Sequence, residues 1–267
     1  MPRFAANLSM LFTEVPLLER FERAARAGFT SVELQFPYEA PAEAIHSRLV
    51  ANRLTMVLHN LPAGDWAAGE RGIACHPDRV EEFQAGVARA IHYAHTLGVT
   101  QLNCLAGKQP AGVDGVTARR VFVHNLRFAA AALKEAGLKL LIEPVNNYDI
   151  PGFWLNSTAL ALSVLDEVGA DNAFLQYDVY HAQRYEGELA ATLEKHLARI
   201  GHIQVADNPG RHEPGTGEIN YNFLFTHLER IGYKGWVGCE YKPAGTTEAG
   251  LGWLETARRQ LRGPQAH

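Results

Sequence analysis

The residues best able to do chemistry in this chain stand at the ends of short apolar runs. Leu140-Leu141-Ile142 leads into Glu143, Phe174-Leu175-Gln176-Tyr177 into Asp178, His202-Ile203 into Gln204, and Trp236-Val237-Gly238-Cys239 into Glu240. A single carboxylate at a strand end is more often an ion-pair partner or a helix cap than a ligand. Four oxygen-bearing side chains at one depth on successive strands call for another explanation. Ionised carboxylates are costly to remove from water unless a cation or hydrogen bond compensates them, and three converging on one point repel one another. One divalent cation relieves that repulsion. The set offers only oxygen donors, Gln204 through its amide carbonyl, and such sets favour Mg2+ or Mn2+ over Zn2+. Glu143, Asp178, Gln204 and Glu240 are therefore the expected metal ligands.

Such convergence requires a scaffold in which strand ends meet. The apolar runs predict strands at Phe4–Leu8, Ser31–Leu34, Thr55–His59, Thr100–Cys104, Lys139–Glu143, Ala173–Asp178, Gly201–Val205 and Trp236–Glu240. Between and after them, amphipathic stretches predict helices at Pro16–Ala27, Pro41–Asn52, Arg79–Leu97, Thr117–Ala136, Ser157–Val168, Glu188–Arg199, Tyr221–Ile231 and Thr247–Arg262. Ala27-Gly28, Leu97-Gly98, Ala136-Gly137 and Ile231-Gly232 supply the glycine that stops a helix in the left-handed conformation. Eight strand–helix alternations predict a single (β/α)8 TIM barrel over residues 1–267, whose catalytic groups sit at the carboxyl ends of the strands. The rival, an open doubly wound sheet, lacks its glycine-rich fingerprint after the first strand.

Bulk properties narrow the function. The chain has 267 residues, 47% apolar and 20% charged, which suits a globular protein with a sizeable core. A formal charge of -4 supplies no global field for a phosphate backbone, so no nucleic-acid partner is expected. No secretory signal or membrane-spanning stretch is visible, and Cys75, Cys104 and Cys239 form no C-x-x-C unit, so a cytoplasmic location with free thiols is expected. The segment from Leu61 to Asp78, with Trp66, reads as a lid or a compact Ω-loop. His181 follows Asp178 by three residues, on an expected loop. Arg211 lies in the polar turn 207–218, where its planar fork could meet a substrate carboxylate.

Longer motifs then carry a resemblance. Ile142-Glu143-Pro144-Val145-Asn146, Gln176-Tyr177-Asp178-Val179-Tyr180-His181, His202-Ile203-Gln204-Val205-Ala206-Asp207-Asn208-Pro209 and Gly238-Cys239-Glu240-Tyr241-Lys242-Pro243 resemble the hydroxypyruvate isomerase family, within the xylose-isomerase-like barrels. So do Leu58-His59-Asn60-Leu61-Pro62 and Asp149-Ile150-Pro151-Gly152-Phe153. The resemblance covers essentially the whole chain. It implies a metal-dependent interconversion of hydroxypyruvate and tartronate semialdehyde, with Glu143 and Glu240 as the acid/base pair. It also implies a small hydroxy-keto acid as partner, with substrate contacts at His181, Arg211 and His59. Glyoxylate metabolism is the implied setting, and a homo-oligomer is left open. The opening Met1-Pro2-Arg3-Phe4-Ala5-Ala6-Asn7-Leu8-Ser9-Met10 very nearly resembles that of 2-oxo-tetronate isomerases, which keeps that substrate as an alternative. Two other readings are a non-catalytic sugar-acid binder and an endonuclease of the same superfamily. The latter calls for a histidine-richer site and a basic groove.

Overall fold

The computed structural model describes residues 2–261. Its eight strands are β1 (Arg3–Asn7), β2 (Ser31–Leu34), β3 (Thr55–Asn60), β4 (Gln101–Cys104), β5 (Lys139–Ile142), β6 (Ala173–Asp178), β7 (Ile200–Val205) and β8 (Trp236–Cys239). They pair in parallel, in sequence order, and close into a barrel. The closing seam joins β1 to β8 through Arg3↔Trp236, Phe4↔Val237, Ala5↔Gly238 and Ala6↔Cys239. The predicted TIM barrel is therefore the fold.

The helices are α1 (Leu17–Arg26), α2 (Ala42–Asn52), α3 (Val80–Leu97), α4 (Gly115–Glu135), α5 (Thr158–Val168), α6 (Val179–Tyr185), α7 (Leu189–His196), α8 (Tyr221–Arg230) and α9 (Gly252–Leu261). Helix α3 shows why such segments fold: Phe83, Val87, Ala90, Ala94 and Leu97 recur at three- and four-residue spacing and form its buried face. Asp114, Ser157 and Asn220 cap α4, α5 and α8 by accepting from backbone N–H groups of the first turn. The predicted terminal glycines Gly28, Gly98, Gly137 and Gly232 all take positive φ. Among the described residues, no helix is long and apolar enough to cross a membrane.

Two departures from the sequence expectation matter. Residues 179–185, expected as a loop, form α6, because Asp178 Oδ1 accepts from Tyr180 N at 2.8 Å and His181 N at 3.4 Å and nucleates a first turn. The last predicted helix is split, with a short 3-10 turn at Glu248–Gly250 before α9; Arg262 lies outside the described residues.

Buried apolar residues divide into a large layer between strands and helices and a small plug inside the barrel, where Ala5, Val57, Leu58 and Leu141 meet. The carboxyl ends of the strands above this plug are polar. There the loop after β3 packs onto the loop after β4 so closely that a Cβ on Gly72, at φ +115°, would lie 2.4 Å from the Leu105 carbonyl oxygen. Gly72→Ala must therefore part the two loops or distort the backbone. A loss of at least about 2 kcal/mol is expected in urea denaturation followed by circular dichroism. An unchanged midpoint would show that the two loops do not depend on this contact.

Candidate active site

Asp178 and Gln204 lie on the last turns of β6 and β7, and Glu143 and Glu240 stand one residue beyond β5 and β8. All four are buried: Glu143 is 4% exposed, Asp178 3%, Gln204 1% and Glu240 6%. Each carboxylate divides its oxygens in the same way. Glu143 Oε2 accepts from Asn103 Nδ2 at 2.8 Å and Gln176 Nε2 at 3.0 Å. Glu240 Oε2 accepts from Asn7 Nδ2 at 2.8 Å and Gln204 Nε2 at 2.6 Å. Asp178 Oδ1 serves the start of α6. One oxygen of each group is thus held by amides or backbone; of the others, Glu240 Oε1 also accepts from Gln35 Nε2 at 3.0 Å and, like Asp178 Oδ2, faces Arg211.

There, Arg211 Nη2 lies 2.8 Å from Glu240 Oε1 and 3.4 Å from Asp178 Oδ2. The turn that carries it is built on Asp207, whose carboxylate accepts from Asn208 N at 2.9 Å, Gly215 N at 2.8 Å and Ile219 N at 3.1 Å. Among the described residues Glu143 has no ion-pair partner within 4.0 Å, and Arg211 Nε is buried without an acceptor.

Burial pushes the Glu143 carboxyl well above its ordinary range, and Glu240 and Asp178 push it further. Burial likewise raises Glu240 to about 7, against the pull of Arg211, and raises Asp178. Arg211 keeps its charge because Glu240, Asp178 and Glu143 outweigh the cost of its burial. A site in which one guanidinium faces this many carboxyl groups is short of positive charge. Ligand atoms of Glu143, Asp178 and His181 lie within 4.8 Å of one another, so this cluster could hold a metal ion. Oxygen donors in excess of fixed cations suit a hard divalent cation.

His181 has a determined tautomer. Asn146 Oδ1 accepts from Tyr148 N at 3.1 Å and Asp149 N at 2.9 Å, which turns its NH2 toward His181 Nδ1 at 2.6 Å. Nδ1 is therefore an acceptor, and the proton of the neutral ring sits on Nε2, 3.7 Å from Asp178 Oδ2. Burial, followed by Arg211 and Arg184, keeps that ring uncharged.

A cavity of about 70 Å³ lies over these groups, with Glu143, Glu240, Arg211 and His181 on its polar side and Val145, Ile150 and Phe153 opposite. Trp66 lines it too, 5.0 Å from the Phe36 ring and with the Arg71 guanidinium 4.1 Å over its own. A larger cleft of about 700 Å³ opens at the other mouth of the barrel, but its lining contains no carboxylate and it lies away from the strand ends that carry chemistry.

His59 corrects an expectation. Strand residues alternate in direction, and on β3 it is Asn60 that reaches the cavity. His59 turns outward against Tyr38, ring centroids 5.8 Å apart, and burial lowers it to about 4. The residues missed were the amides beneath the carboxylates. Gln176 and His202 stand two positions before Asp178 and Gln204, so a period-two reading backwards along β6 and β7 finds them.

A family model described as "Xylose isomerase-like TIM barrel" matches residues 21–257. The chain belongs to that family. It is 56% identical to a hydroxypyruvate isomerase of Escherichia coli (strain K12), over 97% of this chain and 100% of the relative. It is 48% identical to a 2-oxo-tetronate isomerase of Cupriavidus necator, over 96% of this chain and 98% of that one. A crystal structure from Brucella melitensis, named as an AP endonuclease of family 2, superposes with a TM-score of 0.94 at 46% identity. The superposition covers 96% of this chain and 99% of that one.

Raised carboxyl pKa values set a sign for metal binding. A carboxyl whose folded value lies above its ordinary 4.5 stabilises the metal-free fold at low pH, and that contribution is lost as pH rises through about 7. Protons therefore compete with a cation for Glu240 below that point, and for Glu143, whose carboxyl is also raised. The rise in unfolding temperature on adding Mn2+ is expected to be larger at pH 8 than at pH 5.5 in a dye-monitored thermal scan. A shift of equal size at both would contradict this ordering.

Proposed function

We propose that this chain interconverts hydroxypyruvate and tartronate semialdehyde, with a hard divalent cation such as Mg2+ or Mn2+ held by Glu143, Asp178, Gln204 and Glu240. One observation carries the reading: buried carboxyl groups from separate strands converge beside a cavity of about 70 Å³, Glu143 and Glu240 lining it and Asp178 joined to it through Arg211. The high identity to the Escherichia coli enzyme supports the substrate. When bound, the cation supplies Lewis-acid polarisation of a carbonyl and offsets developing oxyanion charge.

The protein's own groups do the proton work. One glutamate of the pair Glu143 and Glu240 takes a proton from C3 of hydroxypyruvate, giving an enediolate. The other delivers a proton to C2, while the hydroxyl proton moves between the two oxygens, so atoms and charge balance. Burial favours this, because a carboxylate with a raised pKa is a stronger base than one in water. His181 Nε2–H donates to a substrate oxygen rather than ligating the metal, since its proton is fixed on that side by Asn146. The Arg211 guanidinium, which lines the cavity, donates to the substrate carboxylate, a charge-assisted bond. Val145, Ile150, Phe153 and Trp66 keep water from the intermediate.

2-Oxo-tetronates present the same carbonyl and hydroxyl on a longer chain, and the Cupriavidus necator relative carries that name. A phosphodiester fits this site poorly: the chain has a formal charge of -4, and the cavity of about 70 Å³ is too small for a nucleotide.

Glu143→Gln and Glu240→Gln are each expected to lower kcat by at least about 10^2-fold, the usual worth of a positioned acid or base, while the fold persists. Steady-state kinetics with hydroxypyruvate checks this, and wild-type rates in both variants would eliminate the mechanism. In deuterated water the Mn2+-loaded protein should exchange carbon-bound protons of hydroxypyruvate by NMR, whereas a mere binder leaves them untouched. Comparing kcat/KM for hydroxypyruvate and 2-oxo-tetronates should favour the former; the reverse order moves the assignment to the longer acid.

A further inference from the structure

Beneath the carboxylates lies a closed polar layer that the isomerisation scheme does not use. Its centre is Glu33 on β2, wholly buried inside the barrel. Gly238 on β8 makes its room, since a Cβ there would lie 2.4 Å from both carboxylate oxygens. His202 Nε2 pairs with Glu33 Oε2 at 2.8 Å, and Asn7 Nδ2 donates to Oε1 at 3.0 Å. The tautomer is consistent along the chain of bonds, because Gln101 Nε2 donates to His202 Nδ1 at 3.3 Å.

The remaining donor to Glu33 is the expected ligand Gln204. Its Nε2 lies 2.8 Å from Glu33 Oε1 and 2.6 Å from Glu240 Oε2, while its Oε1 accepts from Gln176 Nε2 at 2.7 Å. Gln176 Nε2 is itself held by Glu143 Oε2 at 3.0 Å. A glutamine amide can be turned either way, and only one way offers oxygen to a cation. Glu33 Oε1 and Glu240 Oε2 accept from the amide nitrogen while Gln176 Nε2 donates to the amide oxygen, so both ends of the side chain are assigned. Turning the amide over would set its oxygen against two carboxylate oxygens and its NH2 against the NH2 of Gln176.

We infer that Glu33 is a positioning residue: it holds the Gln204 amide so that the carbonyl oxygen, not the NH2, is presented to the cation. This deepens the proposed metal centre and rests on Gln204 being a ligand. The Glu33 carboxyl lies at the barrel centre out of contact with solvent, and the donors to it all belong to this layer. Outer partners of this kind commonly govern metal affinity by about 10- to 100-fold.

The test is calorimetric titration of the full-length chain with Mn2+, with unfolding temperatures recorded for every variant. Glu33→Gln is expected to weaken Mn2+ binding about tenfold or more. Gln204→Glu has two equivalent oxygens and no orientation to hold. In that background the added Glu33→Gln should weaken binding by less than about threefold, because only the loss of a nearby negative charge remains. A purely structural role would shift unfolding and affinity alike in both backgrounds. Equal losses in the two backgrounds, or no loss in the otherwise wild-type chain, overturn the inference. Should Glu33→Gln fail to fold, His202→Leu, which withdraws one donor from Glu33, is read in the same two backgrounds with the same criteria. Absence of Mn2+ binding by the unaltered protein would overturn the metal centre and this inference together, whereas Mn2+ binding indifferent to Glu33 overturns the inference alone.

Discussion

Glu143, Asp178 and Glu240 are buried together at the barrel mouth, above Glu33 at the barrel centre, and the guanidinium of Arg211 is the fixed positive charge set against Asp178 and Glu240. Carboxylates so placed repel one another and lose hydration, so the arrangement persists only where something else compensates it. Compensation comes in two tiers. Below, amides and a histidine from β1, β4, β6 and β7 donate to the inner oxygens. Above, Glu143 and Glu240 line the cavity, where a cation and a substrate complete the balance in the proposed reaction.

This division depends on strand geometry. Residues two apart on a strand share a face, so Gln176 lies below Asp178 and His202 below Gln204 on the barrel's inner side. The tier of amides is therefore a consequence of the same pleat that aims the ligands. Gly238 belongs to this arrangement, for only an absent side chain leaves space for the Glu33 carboxylate. Asp178 has two duties: one oxygen caps α6, which carries His181 over the cavity, and the other faces Arg211. Capping thus fixes the carboxylate rotamer as well as the helix.

Much of this was legible along the chain. Apolar runs ending in a polar residue marked the strand ends, and glycines after helical segments marked their stops, because both signals are local. The segment from Leu61 to Asp78, read as a lid or a compact Ω-loop, stood out by its length and by Trp66, which lines the cavity. His59 was misread because a motif places a residue in sequence without saying which face of the strand it occupies. Helix α6 was missed because Asp178 was weighed as a ligand and not also as a cap. Glu33 stood unremarked in Ser31-Val32-Glu33-Leu34, where nothing local separates an inward carboxylate from a solvated one.

By itself the sequence determined the alternation of strands and helices, and with it the closed barrel and the depth at which oxygen-bearing side chains occur. These follow from periodicity and from conformational limits on glycine, properties each segment possesses alone. Only the tertiary structure decided which of those side chains meet, which way the Gln204 amide is turned and which nitrogen of His181 carries the proton. Those outcomes depend on donors and acceptors from strands far apart in the chain, whose partners exist only once the barrel has closed.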